Sequence, residues 1–368
     1  MKSLRILLAG CLLLIVAWPA QGGAGFFSRF YHPRAELCWL NSRLQGRVLD
    51  YTFNHGQDCR IWSDALGERR DLYVYVPPGF NPTQQYPLAI YFHGFGQDEH
   101  SFLQLADLFD GAIACGRMPP MIIAAPDGSV KGRPALLNAG SFFVNSNAGR
   151  FEDYVMQDVW CFLHEHFPIR PEREAHCLMG GSMGGFSAYN LGIKYRKAVA
   201  NVAGILPPLN LRYLDCHGRY FGKFDPNCYG WREHLHPRAP VGRFYGGLIT
   251  VRERRMTDPL VGRNHNALAR IAMENPAEML FTYDLQPGEL EMFIGYAGRD
   301  EFNIDAQVES FIYFAKSRGL TMTVVYVPRG QHNMETGKQM VPCLIDWMSP
   351  RMSAYAPTLS HAVEIVKP

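Results

Sequence analysis

The chain has no surplus of either charge, no internal repeat, no low-complexity tract and no cysteine spacing that suits a metal. Its 36 Lys and Arg against 34 Asp and Glu leave a formal net charge of +2, so there is no general electrostatic pull toward nucleic acid. The absence of a repeat period argues against an array of small units. HEH at 164–166 and HLH at 234–236 are the closest approach to metal-ligand clusters, and surface histidines account for both. The longest apolar run, ILLAGCLLLIVAW, is too short to be a comfortable membrane span.

What remains is an ordinary globular composition, 47% hydrophobic and 19% charged over 368 residues, enough for one large domain or two modest ones. The apolar run sits between a basic start, MKSLR, and the small residues of PAQGGA. That layout reads as a secretory signal peptide over residues 1–24, cut between Ala20 and Ala24, with residues 25–368 as the mature catalytic domain. LAGC at 8–11 resembles a lipobox, but Cys11 lies early and most of the apolar run follows it; a retained anchor helix is the other alternative. An exported, secreted or periplasmic protein permits disulfides. Cys216 with Cys228 is the first candidate pair and Cys38 with Cys59 the second, while Cys161 and Cys177 read as core residues of a helix and a strand.

Strand and helix patterns alternate along the chain. VLDYTF and DLYVYVP read as early antiparallel strands. LAIYFHG (88–94) and MIIAAPDG (121–128) are short continuous apolar runs ending in turn residues, the pattern of buried parallel strands. Residues 151–167 predict an amphipathic helix with Phe151, Val155, Val159, Phe162 and Phe167 on one face. AHCLMG and AVANVAGI (198–205) follow as strands, with a helix between them. Residues 206–287, rich in proline, arginine and aromatics, break the rhythm and read as an insertion. It then resumes with LEMFIGYAG, a helix over 304–318, TMTVVYVP and a last helix over about 334–348, with a loose tail beyond Pro350. The alternation implies an α/β fold with a mainly parallel sheet flanked by helices, and ligands in such sheets bind where strands end.

Four strand ends carry reactive groups. Gly180-Gly181-Ser182-Met183-Gly184 fits G-x-S-x-G between a strand and a helix, a turn sharp enough to expose the Ser182 hydroxyl beside a helix N-terminus. A serine hydroxyl needs an adjacent base to attack. Downstream, one strand ends at Gly298-Arg299-Asp300 and the next at Arg329-Gly330-Gln331-His332, an acid and a histidine in the order Ser, acid, His. His332 would take the proton and Asp300 would hold the imidazole, with Glu301 and Asp305 as competing acids. The remaining element is HGFG at 93–96. An oxyanion intermediate needs backbone N–H donors, here Met183 and Phe95, with Gly94 as the alternative to Phe95.

These segments resemble the esterase family of the α/β-hydrolase fold that includes feruloyl esterases, S-formylglutathione hydrolase and mycobacterial mycolyltransferases. WSDALGERRDLYVYVPPGFNPTQQYPLAIYFHGFG, GSFFVNSNAGRFEDYVMQDV, CLMGGSMGGFSAYNLGIKY, YAGRDEF and RGQHN carry the resemblance, over residues 60–205 and 288–345. The resemblance implies a triad of Ser182, Asp300 and His332 with oxyanion donors Phe95 and Met183, and neither metal nor organic cofactor. Residues 206–287 match poorly and stand where the fold carries a lid or cap. Arg252, Arg254 and Arg255 in TVRERRM are there either to meet an acidic or sugar-linked ester or simply as a solvated face, and the solvated face is the preferred reading.

The leading expectation is an exported serine carboxylic-ester hydrolase for a small-molecule or polysaccharide-linked ester, a feruloyl or acetyl ester by family analogy. An acyltransferase with a sugar hydroxyl as acceptor and a non-catalytic binding protein are the alternatives. A prolyl-oligopeptidase-type peptidase is disfavoured because no propeller domain precedes the catalytic region.

Overall fold

The computed structural model describes residues 33–54, 56–132 and 140–357. The expected signal peptide, its cleavage site and Cys11 lie outside these residues.

In chain order the elements that place the site begin with helix α1 (Pro33–Asn41) and strand β1 (Arg47–Tyr51). Strands β2 (Leu72–Val76) and β3 (Leu88–Phe92), helix α2 (Ala106–Ala114) and strand β4 (Ile122–Pro126) follow. A long helix, α3, runs over 151–166. Then come β5 (His176–Gly181), α4 (Met183–Lys194) and β6 (Asn201–Ile205). The insertion adds two short hairpins, β7 (Tyr213–Asp215) with β8 (Tyr229–Trp231) and β9 (Pro240–Phe244) with β10 (Ile249–Arg252). Helices α5 (Glu253–Val261), α6 (Ala267–Glu274) and α7 (Pro276–Thr282) complete it. The chain closes with β11 (Glu291–Ala297), α8 (Ile304–Ser317), β12 (Thr323–Val327) and α9 (Met334–Ser353).

Eight strands form one sheet in the order β1-β2-β4-β3-β5-β6-β11-β12. β1 and β2 are antiparallel, β2 is antiparallel to β4, and every pair from β4 to β12 is parallel. All five residues of LAIYF in β3 and of IIAAP in β4 are buried, because helices cover both faces. Alternate side chains divide between two core clusters. Ala89 and Tyr91 face α2 and α9, whereas Leu88, Ile90 and Phe92 face α3 and α4. Each such aliphatic or aromatic side chain contributes roughly 1.5–3 kcal/mol on burial. β4 lies to one side of β3 and β5 to the other, so the order reverses there, and the crevice at the carboxyl ends of such strands is where ligands bind.

Several expectations need correcting. The middle of α3, Tyr154–Val159, is π-helical. The wider turn advances the apolar stripe, so Leu163 is buried and Phe162 only half-buried. Cys161 is exposed, and among the described cysteines only Cys177 is buried. The last helix does not stop near 348 but continues to Ser353 through Pro342 and Pro350, both exposed, where solvent can serve the carbonyls that proline leaves free. Residues 33–41, for which the sequence pattern gave no element, form a helix that buries Leu37 and Leu40. All eight described cysteines are free thiols. Cys216 and Cys228 flank the paired residues Asp215 and Tyr229 of the first insertion hairpin, within hydrogen-bonding reach of each other.

Candidate active site

The turn after β5 follows from its glycines. Ser182 has φ 54° and ψ −120°, a backbone that side-chain-bearing residues rarely adopt. A Cβ on Gly184 would lie 1.9 Å from the Phe92 carbonyl oxygen, and one on Gly180 2.5 Å from the Gly184 carbonyl carbon. At Gly181, by contrast, the nearest atom would be 3.9 Å away. Glycine is therefore required at the two outer positions, where α4 passes directly over β3 and β5, and not at the inner one. The Ser182 N–H donates to Ile205 O at 2.8 Å, which fastens the turn to β6.

At the ends of β11 and β12 the structure brings the other two expected groups to this hydroxyl. His332 Nε2 stands 2.8 Å from Ser182 Oγ, and His332 Nδ1 stands 2.8 Å from Asp300 Oδ2. A carboxylate can only accept, so Nδ1 carries the proton and Nε2 is free to accept from the serine. The Asp300 side chain is fully buried, and its other oxygen accepts from Phe302 N–H at 2.8 Å. Of the competing acids, Glu301 binds the His332 backbone rather than the ring, accepting from its N–H at 2.8 Å. Asp305 lies in the first turn of α8, and burial beside Asp300 raises its pKa.

Burial pushes the pKa of His332 down, but the Asp300 charge and hydrogen bond, with the Glu301 charge, push harder and leave it above the ordinary histidine value. Asn333 then caps α9, its side chain accepting from Thr336 N–H at 2.8 Å, so the histidine is the last residue before a fixed helix start.

The HGFG segment leaves β3 toward the same point. Gly94 N–H donates to Gln97 Oε1 at 2.9 Å and is therefore committed. Neither Phe95 N–H nor Met183 N–H has a hydrogen-bond acceptor among the described residues. Of the two expected alternatives the geometry thus favours Phe95. His93 holds this loop: its Nε2 accepts from Gly128 N–H at 2.9 Å and its Nδ1 faces Gly94 O at 2.9 Å. Burial lowers its pKa and keeps it neutral, as the acceptor role of Nε2 demands.

A cavity of about 1360 Å³ opens around Ser182, Phe95, Met183 and His332. Phe142, Phe186, Leu206, Phe244, Ile249, Val251, Leu260 and Ile271 are among its apolar walls, several of them from the insertion. Of the three arginines in TVRERRM, only Arg255 is among its lining residues; Arg252 instead donates to Arg238 O. The insertion is braced by a buried pair in which Arg232 Nη1 meets Glu253 Oε1 at 2.5 Å, while Glu253 Oε2 accepts from His236 N–H at 2.8 Å. It is also tied to the acid loop: Tyr220 OH donates to Phe302 O at 2.8 Å, and Asn303 Nδ2 to Tyr220 O at 2.7 Å.

Among the described residues one cluster could be considered for a metal, Asp71, Glu99 and Asp127, whose oxygens lie within 4.8 Å of one another. Burial and mutual repulsion raise Asp71 to about 6 and Glu99 well above its usual range, and Arg70 Nη2 pairs with Asp127 at 2.8 Å. Arg70 already balances part of this charge, and burial disfavours the charged forms of Asp71 and Glu99. His164 and His166 bond the carbonyls one turn earlier in their own helix, Trp160 O and Phe162 O.

Sequence reasoning did not assign Glu301, Gln97 and His93 their supporting parts. Only HGFG and the run Asp300-Glu301 marked their neighbourhood, and the contacts join residues as far apart as His93 and Gly128.

Residues 63–263 match the Esterase family profile. An esterase of Mycobacterium tuberculosis is 28% identical over 176 residues, 45% of this chain and 36% of the relative. The endo-1,4-β-xylanase Y of Acetivibrio thermocellus is 25% identical over 175 residues, 45% of this chain and 14% of the relative. The matched segment thus spans about a third or less of these relatives' length. Among solved structures, a ferulic acid esterase superposes with TM-score 0.57 at 15% identity, covering 84% of this chain and 100% of that one. An S-formylglutathione hydrolase from Agrobacterium tumefaciens gives 0.58 at 14% identity, covering 85% and 98%. These likenesses establish the α/β-hydrolase fold.

Proposed function

Since this chain belongs to the Esterase family, we propose that it is a serine carboxylic-ester hydrolase whose triad is Ser182, His332 and Asp300. One observation carries the proposal. The imidazole of His332 lies between a strained serine hydroxyl and a buried carboxylate, at 2.8 Å from each.

The chemistry follows from that geometry. Ser182 Oγ attacks the ester carbonyl while His332 Nε2 takes the hydroxyl proton, and Asp300 stabilises the imidazolium that forms. The carbonyl oxygen becomes an oxyanion held by the N–H groups of Phe95 and Met183, the latter at the start of α4 where the helix dipole favours negative charge. As the C–O bond breaks, His332 returns the proton to the departing alcohol, leaving an acyl-Ser182. Water then attacks the acyl carbon, giving its proton to His332. The acid leaves and the proton returns to Ser182. No metal or organic cofactor takes part in these steps.

The reading includes export, resting on the signal-like residues 1–24. It also takes residues 206–287 as the cap over the cavity, supported by the insertion residues in its wall. p-Nitrophenyl acetate and methyl ferulate are the first substrates to try, because a ferulic acid esterase is among the structures with this fold. Hydrolysis followed by absorbance, present in the native chain and lost in Ser182→Ala, is the expected result. Turnover surviving in Ser182→Ala would remove the serine from the mechanism.

A further inference from the structure

The cavity is larger than its chemistry requires. At about 1360 Å³ it exceeds the roughly 300–1,000 Å³ of a typical small-molecule pocket. Its walls also extend in two directions from Ser182. One part lies under the insertion and carries charged groups such as Arg243 and Arg255, both exposed. The other passes behind the nucleophile into the layer between the sheet and helices α2 and α9, where it is lined by Tyr91, Leu105, Phe109, Met179, Val341 and Leu344. All six are buried, with relative exposures of 1–7%, and all belong to the core cluster on that face. Space that core side chains line, continuous with the catalytic hydroxyl, departs from the close packing of an ordinary interior.

Resting on the serine-esterase reading, we infer that this inner branch is the acyl site and that it takes a linear, medium-length aliphatic acyl chain. Three observations carry the assignment. These six core walls are apolar, apart from the Tyr91 hydroxyl beside Ser101, so they offer little to the phenol of a hydroxycinnamoyl group, which would need a partner when buried. The six walls of this branch are buried, whereas the part under the insertion has exposed walls. The alcohol must depart before water can enter, so it belongs on the open side. The group that stays bonded to Ser182 belongs in the enclosed branch. Finally, the branch reaches back along β5 to Met179, whose register partner on β3 is Tyr91. Three residues of extended strand make that depth about 10 Å, room for on the order of eight carbons.

The test is a chain-length profile of kcat/KM on p-nitrophenyl acetate, butyrate, octanoate and palmitate, with methyl ferulate beside them. Each methylene buried is worth about a fourfold gain at most, a ceiling of about four thousandfold over the six that separate octanoate from acetate; with partial burial octanoate should exceed acetate by at least about a hundredfold, with palmitate lower again. A flat profile, or one that peaks at acetate or ferulate, overturns the inference while leaving a Ser182-dependent esterase intact. Loss of every Ser182-dependent activity would instead strike the functional reading itself. Val341→Phe and Leu344→Trp, which fill the branch, should lower the octanoate-to-acetate ratio about tenfold. An unchanged ratio in a variant of native melting temperature overturns the assignment. Should neither variant fold, the crystal structure of the native chain phosphonylated by an octylphosphonate ester decides it. The octyl chain is expected between β3, β5, α2 and α9, and a chain lying under the insertion contradicts the proposal.

Discussion

Replacing Asp300 by asparagine isolates the part of the proposed mechanism that rests most directly on the geometry. The Phe302 N–H points at Oδ1 from 2.8 Å and demands an acceptor there. Asparagine can supply its carbonyl oxygen at that position only by turning its NH2 toward His332 Nδ1. Nδ1 must then accept, the imidazole proton moves to Nε2, and Nε2 can no longer take the proton of Ser182. The opposite orientation sets NH2 against the Phe302 N–H and leaves a buried donor unsatisfied, at a cost of about 1–3 kcal/mol. The favoured orientation thus removes the base, and both orientations remove the buried negative charge that stabilised its imidazolium. The equivalent change in a serine protease lowers kcat about 10⁴-fold, near 5.4 kcal/mol of barrier, and the same magnitude is expected here.

The pH profile gives a second reading of the same change. The competent form of His332 is neutral, so kcat/KM rises with pH through its pKa. Burial opposes the charged form, but Asp300 and Glu301 outweigh it and place the midpoint above the ordinary 6.5. Removing the Asp300 charge should move that limb to lower pH. The assay is steady-state hydrolysis of p-nitrophenyl butyrate from pH 5 to 9. Activity of Asp300→Asn within about tenfold of native, with an unshifted limb, would refute the reasoning.

Two further predictions follow from packing. Gly184→Ala should lower kcat/KM at least about a hundredfold, because its Cβ would overlap the Phe92 carbonyl and displace the turn; Gly181→Ala, with open space around it, should keep the native melting temperature. Arg232→Ala strands the buried Glu253 and should cost roughly 3–5 kcal/mol by denaturant unfolding, whereas Arg232→Met with Glu253→Leu should come close to native stability.

The sheet was legible because parallel strands buried on both faces must be apolar without interruption, as LAIYF and IIAAP are. The three reactive side chains were legible because each stands where such a run stops, in an order that fits the fold. The π turn in α3 was not, since a one-residue shift of the apolar face leaves no mark in a pattern read at helical period. The insertion hairpins, with strands of three to five residues, are too short for periodicity to register. The shell of Glu301, Gln97 and His93 was illegible for another reason. Glu301 and His93 act on backbone groups brought beside them only by the fold, and Gln97 on a loop turn that no propensity marks, so the sequence carries no sign of their partners.

The central claim is that Ser182 is the atom donor to the acyl-enzyme. Incubating the native chain with a fluorophosphonate and mapping the adduct by mass spectrometry tests it most directly. The account predicts one adduct, on the peptide carrying Ser182, formed in step with loss of ester hydrolysis and absent from His332→Ala on the same timescale. An adduct on another residue, or full inactivation with Ser182 unmodified, would contradict it.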